Sequence, residues 1–311
     1  MMSIKHVGAD VYTMHYKQNY HLDKAIKAGL REEADLYDFI GKEMFFGYKI
    51  NVDASRYACS AFATESPDGK KIVGRNFDYS FGSDTLCLYT HPKGGYASIS
   101  TVSTDMLGVG EGSGAATKSL RGRIALLAAP YIAVDGVNEK GLSASLLDQQ
   151  DGETHMDTDK PDLIVTLAIR LLLDKTATVN EAVELLKEYD IQSAHGCTQH
   201  IFIADKSGAS AIVEWAYGKM YVLEYNVCTN FRMSSPIIDG EYNGHCDRFD
   251  FLDESLKSKP KKTEEESMQL LKGVLQKHTQ WSVVYNLDDF SADYVVNKDF
   301  ENVYHIDGKK L

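Results

Sequence analysis

The stretch "CSAFATESPDGKKIVGRNFDY", residues 59–79, narrows the fold more than any other part of the sequence. Small and apolar residues run to Ala63, Ser66-Pro67-Asp68-Gly69 supplies a tight turn, and a second apolar run starts at Ile72. Proline presets one turn dihedral and glycine tolerates positive φ, so the segment reads as strand, turn, strand. The pattern recurs in "YIAVDGVNEKGLSASLL" (131–147), with Asn138 shaping the turn, and in three successive strands over 199–208, 209–218 and 219–230. Two more strands close the chain, at 280–288 and 293–307.

Helical periodicity falls between these blocks. Residues 21–45 place Ala25, Ala28, Leu30, Leu36, Phe39 and Ile40 on one face with charges between them. Residues 160–190 carry two helices, the second introduced by Thr178 as N-cap with Glu181 three positions later, and 262–278 carries another. Antiparallel hairpins in blocks, separated by paired helices, indicate a layered α+β domain and not an alternating βαβ sheet. No strand-GxGxxG-helix or GxxxxGKS motif is present. The glycine-rich run 108–119 has Thr117 where a phosphate loop needs glycine, so it reads as a loop.

With 311 residues and 43% hydrophobic content the chain can bury a full core, as one large domain or two small ones. A net charge of −12 repels a phosphate backbone and disfavours a nucleic-acid partner. No apolar run has the length of a signal peptide's core or a membrane span, which points to a cytoplasmic protein. Five cysteines without a CxxC pair suggest neither a disulfide framework nor a zinc site, and His195, His200 and His278 match no usual zinc spacing. No metal or cofactor is expected.

A single cysteine among small residues is ordinarily a buried packing residue. Cys59 becomes a candidate for chemistry once Arg75 and Asp78 are added on the partner strand of its hairpin, because a nearby cation favours the thiolate. Taken singly, Asp78 could be a strand-end carboxylate, Arg75 a surface ion pair and Asn230 a loop former.

"CSAF…GRNFDY", followed in order by "DGVNEKGLSASLL" (135–147), "IADKSGASAIVEW" (203–215) and "NVCTN" (226–230), resembles the choloylglycine hydrolase family of N-terminal-nucleophile hydrolases over about residues 59–290. The resemblance implies a four-layer αββα sandwich and hydrolysis of a linear, non-peptide amide. It implies that Cys59 is the nucleophile and that its own α-amino group is the base; a free α-amine has a pKa of about 8 and can accept the thiol proton. Asp78 would then hold the amine, Arg75 would lie beside the sulfur, Asn230 would donate to the oxyanion, and Arg248 would complete the site. The backbone N–H of about Asp148 would be the second oxyanion donor.

Such chemistry needs Cys59 at an N-terminus, so the resemblance further implies autocatalytic cleavage between Ala58 and Cys59. Residues 1–58 would be a leader with an amphipathic helix, laid out as in the related acid ceramidase lineage, and 59–311 the hydrolase domain. The expected substrate is a small N-acyl amide with a lipophilic acyl group such as a bile acid or fatty acid, contacted by loops at 79–89 and 106–110. Family analogy suggests a homo-oligomer. Rival readings are an acyltransferase that uses the same thioester, an unprocessed binding protein, and a papain-like protease whose base would be one of the three histidines.

Overall fold

A computed structural model describes residues 3–44, 57–80, 84–107, 119–149, 155–194, 197–240 and 246–311. The glycine-rich run 108–118, His195 and part of the two expected substrate loops lie outside the described residues. In chain order the strands are β1 (Ser3–Gly8), β2 (Val11–Tyr16), β3 (Tyr57–Glu65), β4 (Lys71–Tyr79), β5 (Thr85–Thr90), β6 (Ser98–Ser103), β7 (Asp135–Asn138), β8 (Leu142–Gln149), β9 (Asp162–Ile164), β10 (Asp190–Gln192), β11 (Thr198–Asp205), β12 (Ser210–Ala216), β13 (Lys219–Leu223), β14 (Val227–Cys228), β15 (Thr279–Asn286), β16 (Ser291–Val296) and β17 (Tyr304–Asp307). The principal helices are α1 (Leu22–Ala28), α2 (Glu33–Met44), α3 (Val165–Lys175), α4 (Val179–Leu186), α5 (Asp247–Ser258) and α6 (Glu264–Gly273).

Nine strands form one sheet in the order β1-β2-β5-β6-β7-β8-β11-β12-β13, and six form a second in the order β14-β3-β4-β15-β16-β17. The sheets pack face to face. The Thr101 hydroxyl (β6) meets those of Tyr285 (β15) and Tyr294 (β16) at 2.8 and 2.9 Å across the interface. Helices α3 and α4 cover the outer face of the first sheet, and α5 and α6 that of the second. This is the expected αββα sandwich. Each layer buries the apolar face of its neighbour, which is why α3, with its "VTLAIRLLLDK" sequence, is buried from Val165 to Asp174.

Local signals predicted from the sequence hold at several element boundaries. Thr178 caps α4 by accepting the Glu181 N–H; at the start of α6 the structure adds a reciprocal capping box of Thr263 and Glu266 that the sequence reading does not include. Gly69 closes the β3–β4 turn with φ of +93°, a conformation open to glycine at no steric cost. Asn138 is a turn builder: its Oδ1 accepts the Lys140 and Leu142 N–H groups while its Nδ2 donates to the Leu173 and Thr176 carbonyls.

Three segments differ from their sequence reading. Residues 79–89, expected as a substrate loop, contain most of β5, with Leu86, Cys87 and Leu88 buried inside the large sheet. Met106 and Leu107, from the second expected loop, are buried in a helical turn. The described part of the N-terminal segment contains more than a helix. β1 and β2 form a hairpin, β2 runs parallel to β5, and the helical periodicity divides at Gly29 into α1 and α2. Val11, Met14, Tyr16 and Tyr20 are buried, the Tyr20 hydroxyl donates to Asp174 at 2.5 Å, and the Ile164 N–H donates to the Leu30 carbonyl at 2.9 Å. Among the described residues no helix is long and apolar enough to cross a membrane.

Candidate active site

The hairpin register determines what surrounds Cys59. In β3–β4, Cys59 pairs with Phe77 and Ala61 with Arg75, so Cys59 and Arg75 point to the same, inner face. Asp78 lies three positions beyond Arg75 on the strand and therefore points to the opposite face, toward the helices. Arg75 and Asp78 thus approach the cysteine from two sides. Arg75 Nη2 lies 3.5 Å from Cys59 Sγ.

A second local feature opens the strand edge at Cys59. β14 is only two residues long and pairs with β3 at Val227–Phe62 and Cys228–Ala61, so the ladder stops before it reaches Cys59. Side chains take over where backbone partners end. The Cys59 N–H donates to Asn230 Oδ1 at 2.5 Å, and the Cys59 carbonyl accepts from Arg248 Nη1 at 2.8 Å. Arg248, near the start of α5, also donates to Asn230 Oδ1 at 2.8 Å and pairs with Asp78 Oδ2 at 3.2 Å. Asn230 Nδ2 donates in turn to the Asp148 carbonyl at 2.7 Å. All six residues named from the sequence are therefore close together, although Asp148 meets Asn230 through its carbonyl and not through its N–H.

Two further groups escaped the sequence reading. Asp135, on β7 of the opposite sheet, pairs with Arg75 Nε at 2.7 Å, with both side chains fully buried. It also accepts from the Tyr285 hydroxyl at 2.5 Å. A guanidinium held away from water requires such a counter-charge, but which carboxylate supplies it depends on how the two sheets are stacked. Thr279 is the second: its hydroxyl donates to Asp78 Oδ1 at 2.5 Å from the neighbouring strand β15.

Burial controls the electrostatics. It pushes the Cys59 thiol up to about 12, and the nearby Arg75 charge only partly opposes this. Burial thus favours the neutral thiol. Burial likewise raises the Asp78 carboxyl to about 6, against the lowering effects of Thr279, Arg248 and Arg75. A full positive charge at the Cys59 nitrogen would favour its ionised form. Among the described residues no cluster of three or more His, Cys, Asp or Glu groups could hold a metal ion. His278 precedes β15, and His200 is buried in the large sheet.

Comparisons with known proteins identify the family and the fold. The profile of the linear amide C-N hydrolases, choloylglycine hydrolase family, matches residues 59–236. A penicillin V acylase from Pectobacterium atrosepticum is 37% identical over 119 residues, covering 34% of this chain and 31% of that protein. The chain thus matches about a third of that relative's length. Penicillin V acylase from Agrobacterium tumefaciens superposes with a TM-score of 0.59 at 21% identity, covering 81% of this chain and 87% of that one. A cysteine-to-alanine mutant of conjugated bile acid hydrolase from Clostridium perfringens gives a TM-score of 0.58 at 18% identity, covering 81% and 93%. At these identities the two structures speak for the shared sandwich fold alone.

Proposed function

Because the chain belongs to the choloylglycine hydrolase family of linear amide C–N hydrolases, we propose that it cleaves itself before Cys59 and then hydrolyses a small N-acyl amide through a Cys59 thioester. One observation carries this reading: Asn230 and Arg248, with Asp78 behind them, converge on the main-chain N–H and C=O of one buried cysteine. A packing cysteine has no use for such an arrangement. The match to the family profile also begins at Cys59.

In the first reaction Cys59 Sγ bonds to the Ala58 carbonyl carbon, the Ala58–Cys59 C–N bond breaks, and the thiol proton passes to the leaving nitrogen, which becomes the new α-amine. Water then cleaves the thioester, leaving a carboxylate on Ala58 and a free thiol. In the second reaction the amine takes the thiol proton while sulfur attacks the substrate carbonyl. Asn230 Nδ2 stabilises the oxyanion, and the backbone N–H near Asp148 is the second donor. The α-ammonium returns its proton to the leaving amine, and water releases the acyl group. Asp78 holds the ammonium, and Arg75 favours the ionised sulfur.

A panel of glycine- and taurine-conjugated bile acids, N-acylethanolamines, N-acyl amino acids and penicillin V tests both substrate class and reaction. Release of free amine from at least one lipophilic amide is expected; no turnover by cleaved protein would refute the reading. Cleavage without release of the N-terminal segment is a further expectation. Since β2 is paired to β5 and Tyr20 is tied to Asp174, residues 1–58 should stay bound after cleavage. Intact mass and size-exclusion chromatography should find both pieces in one peak, and a free 59–311 piece under native conditions would count against this.

Asp78 gives a pH dependence that can be checked in the uncut form, trapped as Cys59→Ala. A carboxyl raised from 3.8 to about 6 contributes stability below 3.8 that is lost as pH rises through 6. The loss is about 3 kcal/mol at most. Urea unfolding between about pH 4 and 7 should show a shallower fall for Cys59→Ala/Asp78→Asn than for Cys59→Ala; parallel curves would remove Asp78 from this role.

A further inference from the structure

The proposed reaction needs Asn230 held to within a fraction of an ångström, yet Asn230 lies two residues past the end of β14 and has no ladder to hold it. What fixes it instead is visible on either side. Cys228, before it, packs its sulfur 3.4 Å from His200 Nε2 on β11. Met233 and Ser234, after it, donate their backbone N–H groups to the two carboxylate oxygens of Glu214 on β12, at 2.9 and 2.8 Å. Glu214 Oε1 also accepts from His200 Nδ1 at 2.9 Å. His200, Glu214 and Cys228 are all fully buried. One ion pair in the large sheet therefore grips the smaller sheet's chain both before and after Asn230.

We infer that His200 and Glu214 are positioning residues that seat Asn230 for oxyanion stabilisation, an inference that rests on the proposed function above. The bland alternative is a buried pair that only joins the sheets. Against it stands the direction of the contacts: both Glu214 oxygens are spent on the turn that follows Asn230. Burial alone would lower the His200 imidazole, but Cys228 and Glu214 raise it, and its Nδ1 faces Glu214 Oε1 at 2.9 Å. Glutamine at 214 has one acceptor oxygen where three N–H groups converge, so at least one of them would face an amide NH2 group. Asn230 would lose its seat while the shape of the core is kept.

The test is a double-mutant cycle on the full chain, processed as expressed, with the best substrate of the panel. Glu214→Gln is expected to lower kcat by about 10- to 100-fold with KM changed less than about threefold, because a misplaced donor weakens the transition state and not the encounter. Asn230→Ala is expected to lower kcat by about 10²- to 10³-fold. The double variant should be no slower than Asn230→Ala alone, within about twofold, since Glu214 acts through a group already removed. Multiplying effects would overturn the inference and leave the proposed reaction standing. An Asn230→Ala enzyme of full kcat would overturn the reading of the oxyanion site and the inference with it. Where Glu214→Gln does not fold, His200→Gln takes its place in the cycle. Independently, the wild-type Met233 and Ser234 amides should exchange slowly with deuterium, and rapid exchange would refute the grip.

Discussion

Cys59→Ala should purify as an uncut chain that hydrolyses none of the substrate panel. Both effects come from one atom: the thiol that opens the Ala58–Cys59 bond is the thiol that later carries the acyl group. Loss of a nucleophile typically removes at least about 10⁴-fold in rate, so turnover should fall to background. The fold should survive. Deleting one buried sulfur leaves a small void costing about 1 kcal/mol, and the main-chain contacts to Asn230 and Arg248 do not involve the side chain. Intact mass, thermal melting and amine release measured on one preparation separate the outcomes. Cleavage before residue 59, or undiminished hydrolysis, in this variant would end the cysteine mechanism.

Asp135→Leu should have the largest effect on stability. It leaves the Arg75 guanidinium fully buried beside Cys59 without its 2.7 Å partner, and stranding one member of a buried pair costs about 3–5 kcal/mol. The melting temperature should fall by about 5–8 °C, with activity lost through the shifted arginine. Arg75→Leu/Asp135→Leu gives the decisive contrast. Replacing both charges with apolar groups should recover most of the stability while activity stays absent, because nothing then favours the thiolate. Chemical unfolding within 1 kcal/mol of wild type for Asp135→Leu alone would show that Arg75 is not held in this way.

The candidate site was readable in the sequence to the extent that its groups lie on short-range patterns. The Ser66–Gly69 turn brings β4 back along β3, so Arg75 and Asp78 had to return near Cys59. Thr178 likewise marked a helix start through chemistry within four residues. Asp135, Thr279, His200 and Glu214 gave no such signal. Each matters through a partner on another strand or in the other sheet, and "DGVNEKG" or "VEW" alone reads as strand and turn. The strands β1 and β2 were missed for a related reason. β2 is almost wholly buried because β5, seventy-four residues on, runs alongside it, and local periodicity carries no trace of a distant parallel partner.

The segment that reads as a hairpin, with a cysteine, an arginine and an aspartate at its open end, required only local propensities: a proline-glycine turn and β-forming runs of matched length. Those propensities also separated strand blocks from helix blocks and so pointed to a layered sandwich. They could not say that Arg75 and Asp78 face opposite ways around Cys59, that β14 stops in time to leave the cysteine's backbone to Asn230 and Arg248, or that Asp135 and Glu214 neutralise charges buried between two sheets. Register and sheet stacking settle these matters, because the need for a counter-charge arises only where packing has removed water.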